Sequence, residues 1–159
     1  PEFGEINEPT RAAFLAPWSS AAGKAGADYR RMEVPSTNGY ATAEALAKLM
    51  GGLANDGWLD GGEILSPALI AEASRERIRG QDLVLPFVMS WGAGFMRNEP
   101  NFPWGPGTQT FGHSGWGGAC AFADPERRLG GAYVMNRQGT ALMGDPRPKR
   151  LIEAACAAL

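Results

Sequence analysis

The sequence is poor in the residues that usually build metal sites and disulfide frameworks. Its 159 residues contain one histidine and two cysteines, Cys120 and Cys156. A single histidine excludes a histidine-rich metal site, and no cysteine–histidine spacing typical of zinc is present. Two cysteines give no disulfide framework, so we expect two free thiols, Cys120 in a buried strand and Cys156 in a terminal helix. No metal ion is therefore expected.

Long apolar runs and an excess of one charge are also lacking. No segment approaches the ~20 apolar residues that cross a bilayer, so we expect no membrane span. The formal net charge is -2, which predicts no general attraction to nucleic acid or anionic lipid. Hydrophobic residues make up 44% and charged residues 20% of the chain. This composition and length predict one globular core of ordinary size.

Three segments follow the helical pattern. Residues 42–56 place Thr42 at an N-cap and repeat Leu46, Leu49, Met50 and Leu53 at helical spacing. A second helix starts at the Ser-Pro pair of residues 66 and 67, where serine caps and proline takes the first helical position. Residues 148–159 predict a helix that closes the chain.

Short glycine-punctuated segments between these helices predict strands. We expect a glycine-rich strand at 90–96, a loop at 97–107, and strands at 108–115, 117–123 and 129–136, with a hairpin turn at 124–127. This order predicts an α+β fold in which helices flank an antiparallel β-sheet. Residues 41–159 would form this unit. Residues 1–40 would form a lid or linker, with a short helix near 8–15 and an extended stretch at 29–34.

The segment at residues 111–118 most resembles a chemical site, since it sets the only histidine, His113, beside Ser114 and among glycines. Other interpretations stay open. His113 could be a strand histidine that satisfies a backbone carbonyl, and Gly117 and Gly118 could only make room for a neighbouring helix. Ser114 is not in a Gly-x-Ser-x-Gly nucleophile elbow, because Trp116 replaces the last glycine and no later histidine follows. Asp124 is expected to form the hairpin turn.

Several segments fall in one familiar order, and together they carry a resemblance. These are the 42–56 helix, Leu-Ser-Pro at 65–67, Trp-Gly-Ala-Gly-Phe at 91–95, Gly-His-Ser-Gly at 112–115, Asp-Pro at 124–125 and Tyr-Val-Met-Asn at 133–136. Over about residues 38–159 the chain resembles the C-terminal part of the serine β-lactamase-like superfamily. Its nearest members are the family VIII carboxylesterases, with D-aminopeptidases and D-alanyl-D-alanine carboxypeptidases as relatives.

The resemblance implies which residues act. That superfamily uses a Ser-x-x-Lys helix start, a tyrosine motif, and a Lys/His-Thr/Ser-Gly triplet on a strand, which His113, Ser114 and Gly115 match. Neither Ser-x-x-Lys nor Tyr-x-Asn occurs in this chain. We therefore expect the nucleophile in an N-terminal portion of the same protein, which would be this chain's partner. The backbone N–H of Trp116 would donate to the oxyanion.

The substrate class is inferred from the same triplet. An imidazole is largely neutral at pH 7, whereas lysine is a cation that favours a substrate carboxylate. This difference favours a carboxylesterase that cleaves short-chain esters through an acyl-serine intermediate, without a cofactor. A D-amino-acid peptidase or a β-lactamase acting on an amide is the first alternative, and a non-catalytic penicillin-binding-like module is the second. Trp104, Phe111 and Gly117 would contact the substrate.

Overall fold

The computed structural model describes residues 4–15, 27–35, 37, 39–100 and 104–159. These residues fall into two compact units. The larger unit contains Thr42–Gly80 and Val88–Leu159, and the smaller contains the described residues of Phe3–Ala41 together with Gln81–Phe87. The grouping of Gln81–Phe87 with the N-terminal region was not predicted. In the described residues, no helix is both long and apolar enough to cross a bilayer.

The smaller unit begins with a capped helical turn. Helix α1 (Glu8–Thr10) has Asn7 as its N-cap and continues into a π-helical turn at Arg11–Leu15. This confirms the short helix expected near residues 8–15. The buried hydroxyl of Thr10 donates to the carbonyl oxygen of Val84 at 2.7 Å, which ties α1 to the Gln81–Phe87 segment. The sequence showed no sign of this contact.

The extended stretch expected at 29–34 is wrong. Helix α2 (Ala27–Arg31) includes the first part of it, and the Met32 N–H then donates to the Tyr29 carbonyl at 3.3 Å. Pro35 had suggested an extended chain, but a proline restricts only the residue directly before it. Residues 16–26 of the expected lid or linker lie outside the described residues.

The larger unit is an antiparallel sheet with helices. A hairpin of β1 (Trp58–Leu59) and β2 (Gly62–Glu63) lies outside the main sheet. The main sheet has six strands in chain order: β3 (Ile78–Gln81), β4 (Val88–Trp91), β5 (Met96–Arg97), β6 (Phe111–Ser114), β7 (Cys120–Asp124) and β8 (Leu129–Tyr133). The helices are α3 (Ala43–Ala54), α4 (Pro67–Ser74) and α5 (Pro146–Ala157). The predicted α+β class is confirmed.

The caps of the first two of these helices are those that the sequence predicted. Thr42 accepts from the Ala45 N–H at 3.1 Å and starts α3. Ser66 accepts from the Leu69 N–H at 3.3 Å and starts α4. Helix α5 begins earlier than predicted because Asp145 is its N-cap and Pro146 takes the first position.

The glycine-rich segment at 90–96 is two strands and not one. Strand β4 ends at Trp91, which pairs with Met96 at the start of β5. Between them the Gly92 N–H donates to the Phe95 carbonyl at 2.9 Å, and Gly94 has φ +85. A positive φ does not continue a strand, and glycine adopts it without steric cost. The residues at the two ends of 90–96 are strand, as predicted, but the turn between them was not predicted.

The core lies between α3, α4 and one face of the sheet. Its fully or nearly buried members are Met50, Leu53, Ala54, Ile70, Phe111 and Ala123. Met50 and Leu53 confirm the predicted stripe of α3, whereas Leu49 is 45% exposed in this structure. Gly130 of β8 lets α3 approach the sheet, since a Cβ there would lie 2.0 Å from the Gly51 nitrogen. A glycine therefore stands where helix and strand backbones meet.

Candidate active site

Strand β6 has a covered end and an open end. Phe111 is 0% exposed and Gly112 is buried, whereas Ser114 is half-buried and His113 is exposed. Strand β7 pairs with all four residues of β6. Strand β5 pairs with Phe111 and Gly112, where its register in the described residues ends. At His113 and Ser114 the β5 side of the strand is therefore an edge that an extended ligand can approach.

The imidazole of His113 lies at this open end. Its Nδ1 is 2.9 Å from the Ser114 carbonyl oxygen. A carbonyl oxygen only accepts, so this contact is a hydrogen bond when Nδ1 carries the hydrogen, and a neutral ring then presents Nε2 as an acceptor. The ring also packs on Trp91, with centroids 5.8 Å apart and planes tilted by 48°. The carbonyl contact foreseen as an alternative is therefore present, on a ring that remains exposed.

The chain after β6 forms a tight turn at residues 115–118. The Gly115 N–H donates to the Ala119 carbonyl at 2.7 Å, and the Gly118 N–H donates back to the Gly115 carbonyl at 3.2 Å. Gly117 has φ +96 and Gly118 has φ +116, a region that L side chains rarely adopt. Trp116 lies between Gly115 and Gly117 and is 41% exposed. Gly117 and Gly118 permit this backbone conformation, and the hydrogen bonds fix it on both sides of Trp116.

An ion pair at the start of α5 holds this turn. The Arg147 Nη2 lies 2.7 Å from Asp145 Oδ2 and donates to the Gly117 carbonyl at 2.8 Å. The hydrogen bond from Arg147 lowers the pKa of the Asp145 carboxyl and raises the pKa of the guanidinium. A Cβ at Gly118 would lie 2.6 Å from Asp145 Oδ2. Gly118 therefore makes room for the ion pair at the start of α5. This agrees with the alternative interpretation, in which the glycines make room for a neighbouring helix.

The predicted substrate contacts do not all reach the surface. Phe111 packs edge-on against Phe95 with centroids 4.9 Å apart, and we assign it to the core because none of it is exposed. Gly117 is buried and its carbonyl is held by Arg147. Trp104 is 3% exposed. These three buried residues would affect a substrate only through the position of the backbone around them.

A small cavity lies behind the open end of β6. Its volume is about 20 Å3 and it is lined by, among others, Trp104, Ser114, Gly115, Cys120 and Ile152. That volume holds about one water molecule, so it is too small for a substrate. Both cysteines are free, as expected. Burial raises the pKa of the Cys120 thiol to about 11, which keeps it protonated at neutral pH.

Other charged residues near the sheet are structural. Asp124 is 0% exposed and accepts from the backbone N–H and the Nη1 of Arg127 at 3.2 and 3.0 Å, which confirms its role in the turn. In the part of the chain that the structure describes, no three His, Cys, Asp or Glu residues lie together as metal ligands would. Sequence reasoning missed Trp91, Asp145 and Arg147. Of these, only Asp145 was predictable in part, because an aspartate followed by a proline is typical of a helix start.

Comparisons with known proteins identify the family and the fold of this chain. A family model described as Beta-lactamase matches residues 4–155. The esterase/beta-lactamase LipL of Mycobacterium tuberculosis is 36% identical over 108 residues, which are 66% of this chain and 24% of that protein. A penicillin-binding protein homolog from Caulobacter crescentus is 64% identical with a TM-score of 0.94, over 100% of this chain and 42% of that one.

A second solved structure adds an esterase. A family VIII carboxylesterase is 42% identical with a TM-score of 0.88, over 94% of this chain and 40% of its own. The chain thus spans less than half the length of these relatives. Since the family match extends over nearly all of the sequence, the chain belongs to the beta-lactamase family, whose fold and serine-hydrolase superfamily it shares.

Proposed function

We propose that this chain supplies the C-terminal part of the active site of a serine carboxylesterase that cleaves short-chain esters through an acyl-serine intermediate. The carrying observation is the open end of β6, where His113 is exposed, Ser114 is half-buried, and a glycine turn follows. The attacking serine would come from the rest of the protein, because no Ser-x-x-Lys occurs in the 159 residues.

The 115–118 turn supports an oxyanion site. Ester cleavage passes through a tetrahedral oxyanion that needs preorganised N–H donors. A trans peptide is planar, so the Trp116 N–H points opposite to the Gly115 carbonyl, which is itself bonded to Gly118. The direction of the Trp116 N–H is thus set before substrate arrives. The second donor would be the backbone of the serine supplied by the rest of the protein.

The remaining triplet residues would receive the substrate and its protons. Gly115 leaves space at the strand edge, since a Cβ there would meet nothing nearer than Ala119 Cβ at 3.7 Å. Ser114 would offer its hydroxyl to the substrate or to the tyrosine expected upstream. His113 would face the same proton network, with Nε2 as the acceptor when the ring is neutral.

The charges near the site favour an ester over a carboxylate-bearing substrate. His113 stands where the β-lactamase-like triplet more often has lysine, which is a permanent cation that favours a substrate carboxylate. The guanidinium of Arg147 is engaged with Asp145, Gly117 and Arg137. The charge of Arg147 is therefore balanced by Asp145 and is less available to a substrate carboxylate. Two of the similar proteins are themselves described as esterases.

A second candidate is penicillin binding, with or without amide hydrolysis. It is favoured by the 64% identity to a structure described as a penicillin-binding protein homolog. In that case the open edge of β6 would align a peptide or β-lactam substrate as an added strand. The whole protein would then act as a D-amino-acid peptidase or β-lactamase, or bind without turnover.

The test compares substrates on the whole protein that contains this chain. We expect hydrolysis of p-nitrophenyl butyrate well above that of a D-alanyl anilide or a cephalosporin. A fluorophosphonate should label a serine outside the 159 residues, and the chain by itself should hydrolyse none of the three compounds. Enzyme-like ester turnover by the isolated chain would contradict the shared site. Absence of both labelling and turnover in the whole protein would favour the non-catalytic module.

A further inference from the structure

The ion pair at the start of α5 is built as a clamp on the 115–118 turn. The Arg147 Nε donates to Asp145 Oδ1 at 3.0 Å and Nη2 to Oδ2 at 2.7 Å, a two-pronged contact. Its Nη1 donates to the Arg137 carbonyl at 2.9 Å, and Nη2 also reaches Gly117. Asp145 is 6% exposed. A planar guanidinium with so many partners has one orientation, so the position of its contact with the turn is fixed.

Two rigid peptide units connect this clamp to the Trp116 N–H. The first joins Gly117 and Gly118: its oxygen accepts from Arg147 and from the Gly139 N–H at 2.8 Å, and its N–H donates to the Gly115 carbonyl. The second joins Gly115 and Trp116, and its N–H is the donor in question. The Arg147 contact fixes the orientation of the planar Gly117–Gly118 peptide and therefore the direction of the Gly118 N–H. That N–H holds the Gly115 carbonyl, and the Trp116 N–H points opposite to this carbonyl in the same planar peptide.

We propose that Arg147, held by Asp145, is a positioning residue that orients the Trp116 N–H toward the oxyanion through the Gly117–Gly118 peptide. This inference rests on the proposed hydrolase function. It does not place Arg147 on the substrate, because four of its five guanidinium N–H groups donate to partners within the protein. The positive charge also polarises the hydrogen-bonded peptides, which strengthens the last N–H as a donor.

The fold explains why a clamp is needed at this point. Gly117 and Gly118 both have positive φ, and glycines lose more conformational freedom on ordering than any other residue. A turn with two glycines after Trp116 would sample several peptide orientations without an external tie. The ties come from Arg147 and from the Gly117 N–H, which donates to the Ala141 carbonyl at 3.1 Å.

The experiment uses the whole protein and the variant Arg147→Ala. We expect kcat for p-nitrophenyl butyrate to fall about 10²-fold, since a 1 Å misplacement has that order of effect. KM should change little, because the lost interaction acts in the transition state. Millimolar guanidinium should restore part of kcat by occupying the vacated site. Amide hydrogen exchange in peptides covering residues 112–119 should accelerate in the same variant.

The matched control is Arg150→Ala on the same helix. Arg150 is exposed, and its Nε bonds to the Pro146 carbonyl of its own helix at 3.3 Å. This variant should keep kcat and exchange at wild-type values. Arg147→Lys, which keeps the charge but not the two-pronged geometry, should remain folded and lose most of the activity. It decides the question if Arg147→Ala does not fold.

The outcomes separate this inference from the proposed function. An active wild type with unchanged kcat in a folded Arg147→Ala or Arg147→Lys protein would overturn the positioning role alone. The positioning role would also be overturned if Arg147→Ala and Arg150→Ala lost kcat to the same extent and guanidinium did not restore it. A wild type that hydrolyses none of the three compounds would overturn the proposed function, and the catalytic role of Arg147 with it, even if exchange showed that the turn had loosened.

Discussion

The two ends of strand β6 differ in almost everything except their backbone. At one end Phe111 is fully buried among Met50, Leu53 and Ala123 and is paired on both sides of the strand. At the other end His113 is exposed and the register to β5 has ended. The covered end holds the strand in the sheet, and that support lets the open end present polar groups without their having to stabilise the fold.

The same contrast separates apolar packing from polar ties. The covered end is stabilised by the burial of apolar side chains. This driving force depends on the area buried and has no preferred direction. The turn beyond the open end is held by hydrogen bonds that Arg147 and Gly139 donate to the Gly117 carbonyl and by the bond that the Gly117 N–H donates to the Ala141 carbonyl. These bonds fix direction more than they add stability. Substitutions at the two ends should therefore separate effects on stability from effects on activity.

The largest expected effect is that of Phe111→Ala on stability. Removing a buried phenylalanine ring costs about 3–5 kcal/mol of unfolding free energy, measured by chemical denaturation of the whole protein. His113→Ala, on the same face two residues later, should change that free energy by at most about 0.5 kcal/mol, since the side chain is exposed. The proposal assigns His113 to the site, so this second variant should instead reduce ester hydrolysis. Equal destabilisation by both variants would contradict the division of β6.

Two glycines of the turn give the next contrast. Gly118→Ala would strain the backbone at φ +116 and place a methyl 2.6 Å from Asp145 Oδ2, and should cost about 1–3 kcal/mol. Gly115→Ala meets its nearest atom at 3.7 Å, so its stability should stay within about 0.5 kcal/mol of wild type. Its ester turnover should nevertheless fall, because the methyl occupies the proposed substrate edge. Wild-type turnover in a folded Gly115→Ala protein would remove that edge from the site.

The fold was predictable wherever the signal was local. The caps at Thr42 and Ser66, the turn at Asp124 and the antiparallel strand order all follow from residues that are near one another in sequence. The errors had local causes as well. Gly94 interrupts the segment that was predicted as one strand. Tyr29 lies in a helix, whereas Pro35 had led us to predict an extended chain before it.

The site was predictable only in part, because its support is distant in sequence. Gly-His-Ser-Gly marks the open end of β6, but nothing in the sequence connects Gly117 to Arg147, thirty residues later. Likewise the aromatic character of Phe111 suggested a substrate contact, whereas its position on the covered face sends it to the core. Periodicity shows that side chains alternate. It does not show which face the helices cover.

A smaller effect is expected from His113→Lys. If the absence of a lysine at this position is what reduces affinity for carboxylate-bearing compounds, His113→Lys should raise kcat/KM for a cephalosporin relative to p-nitrophenyl butyrate. An exposed charge pair is worth at most about 1 kcal/mol, which is roughly fivefold. His113→Gln is the matched neutral variant and should leave the ratio unchanged. A ratio that shifts equally in both variants would mean that shape and not charge sets the preference.

The smallest effect concerns Cys120, which pairs with Ser114 at the open end of β6 but is itself buried. Burial raises the pKa of its thiol to about 11, so the reactive thiolate is scarce at pH 8 and increases about tenfold for each pH unit up to that value. Iodoacetamide should therefore modify Cys156, which is more exposed, before Cys120, and mass spectrometry of digests would show the order. Modification at Cys156 alone should leave ester turnover unchanged, because Cys156 lies near the end of α5. The residues that hold the 115–118 turn lie at the start of that helix. If Cys120 reacted as fast as Cys156 at pH 8, the backbone at Ser114 would be opening, and the covered side of the strand would not provide the rigid support on which the open end depends.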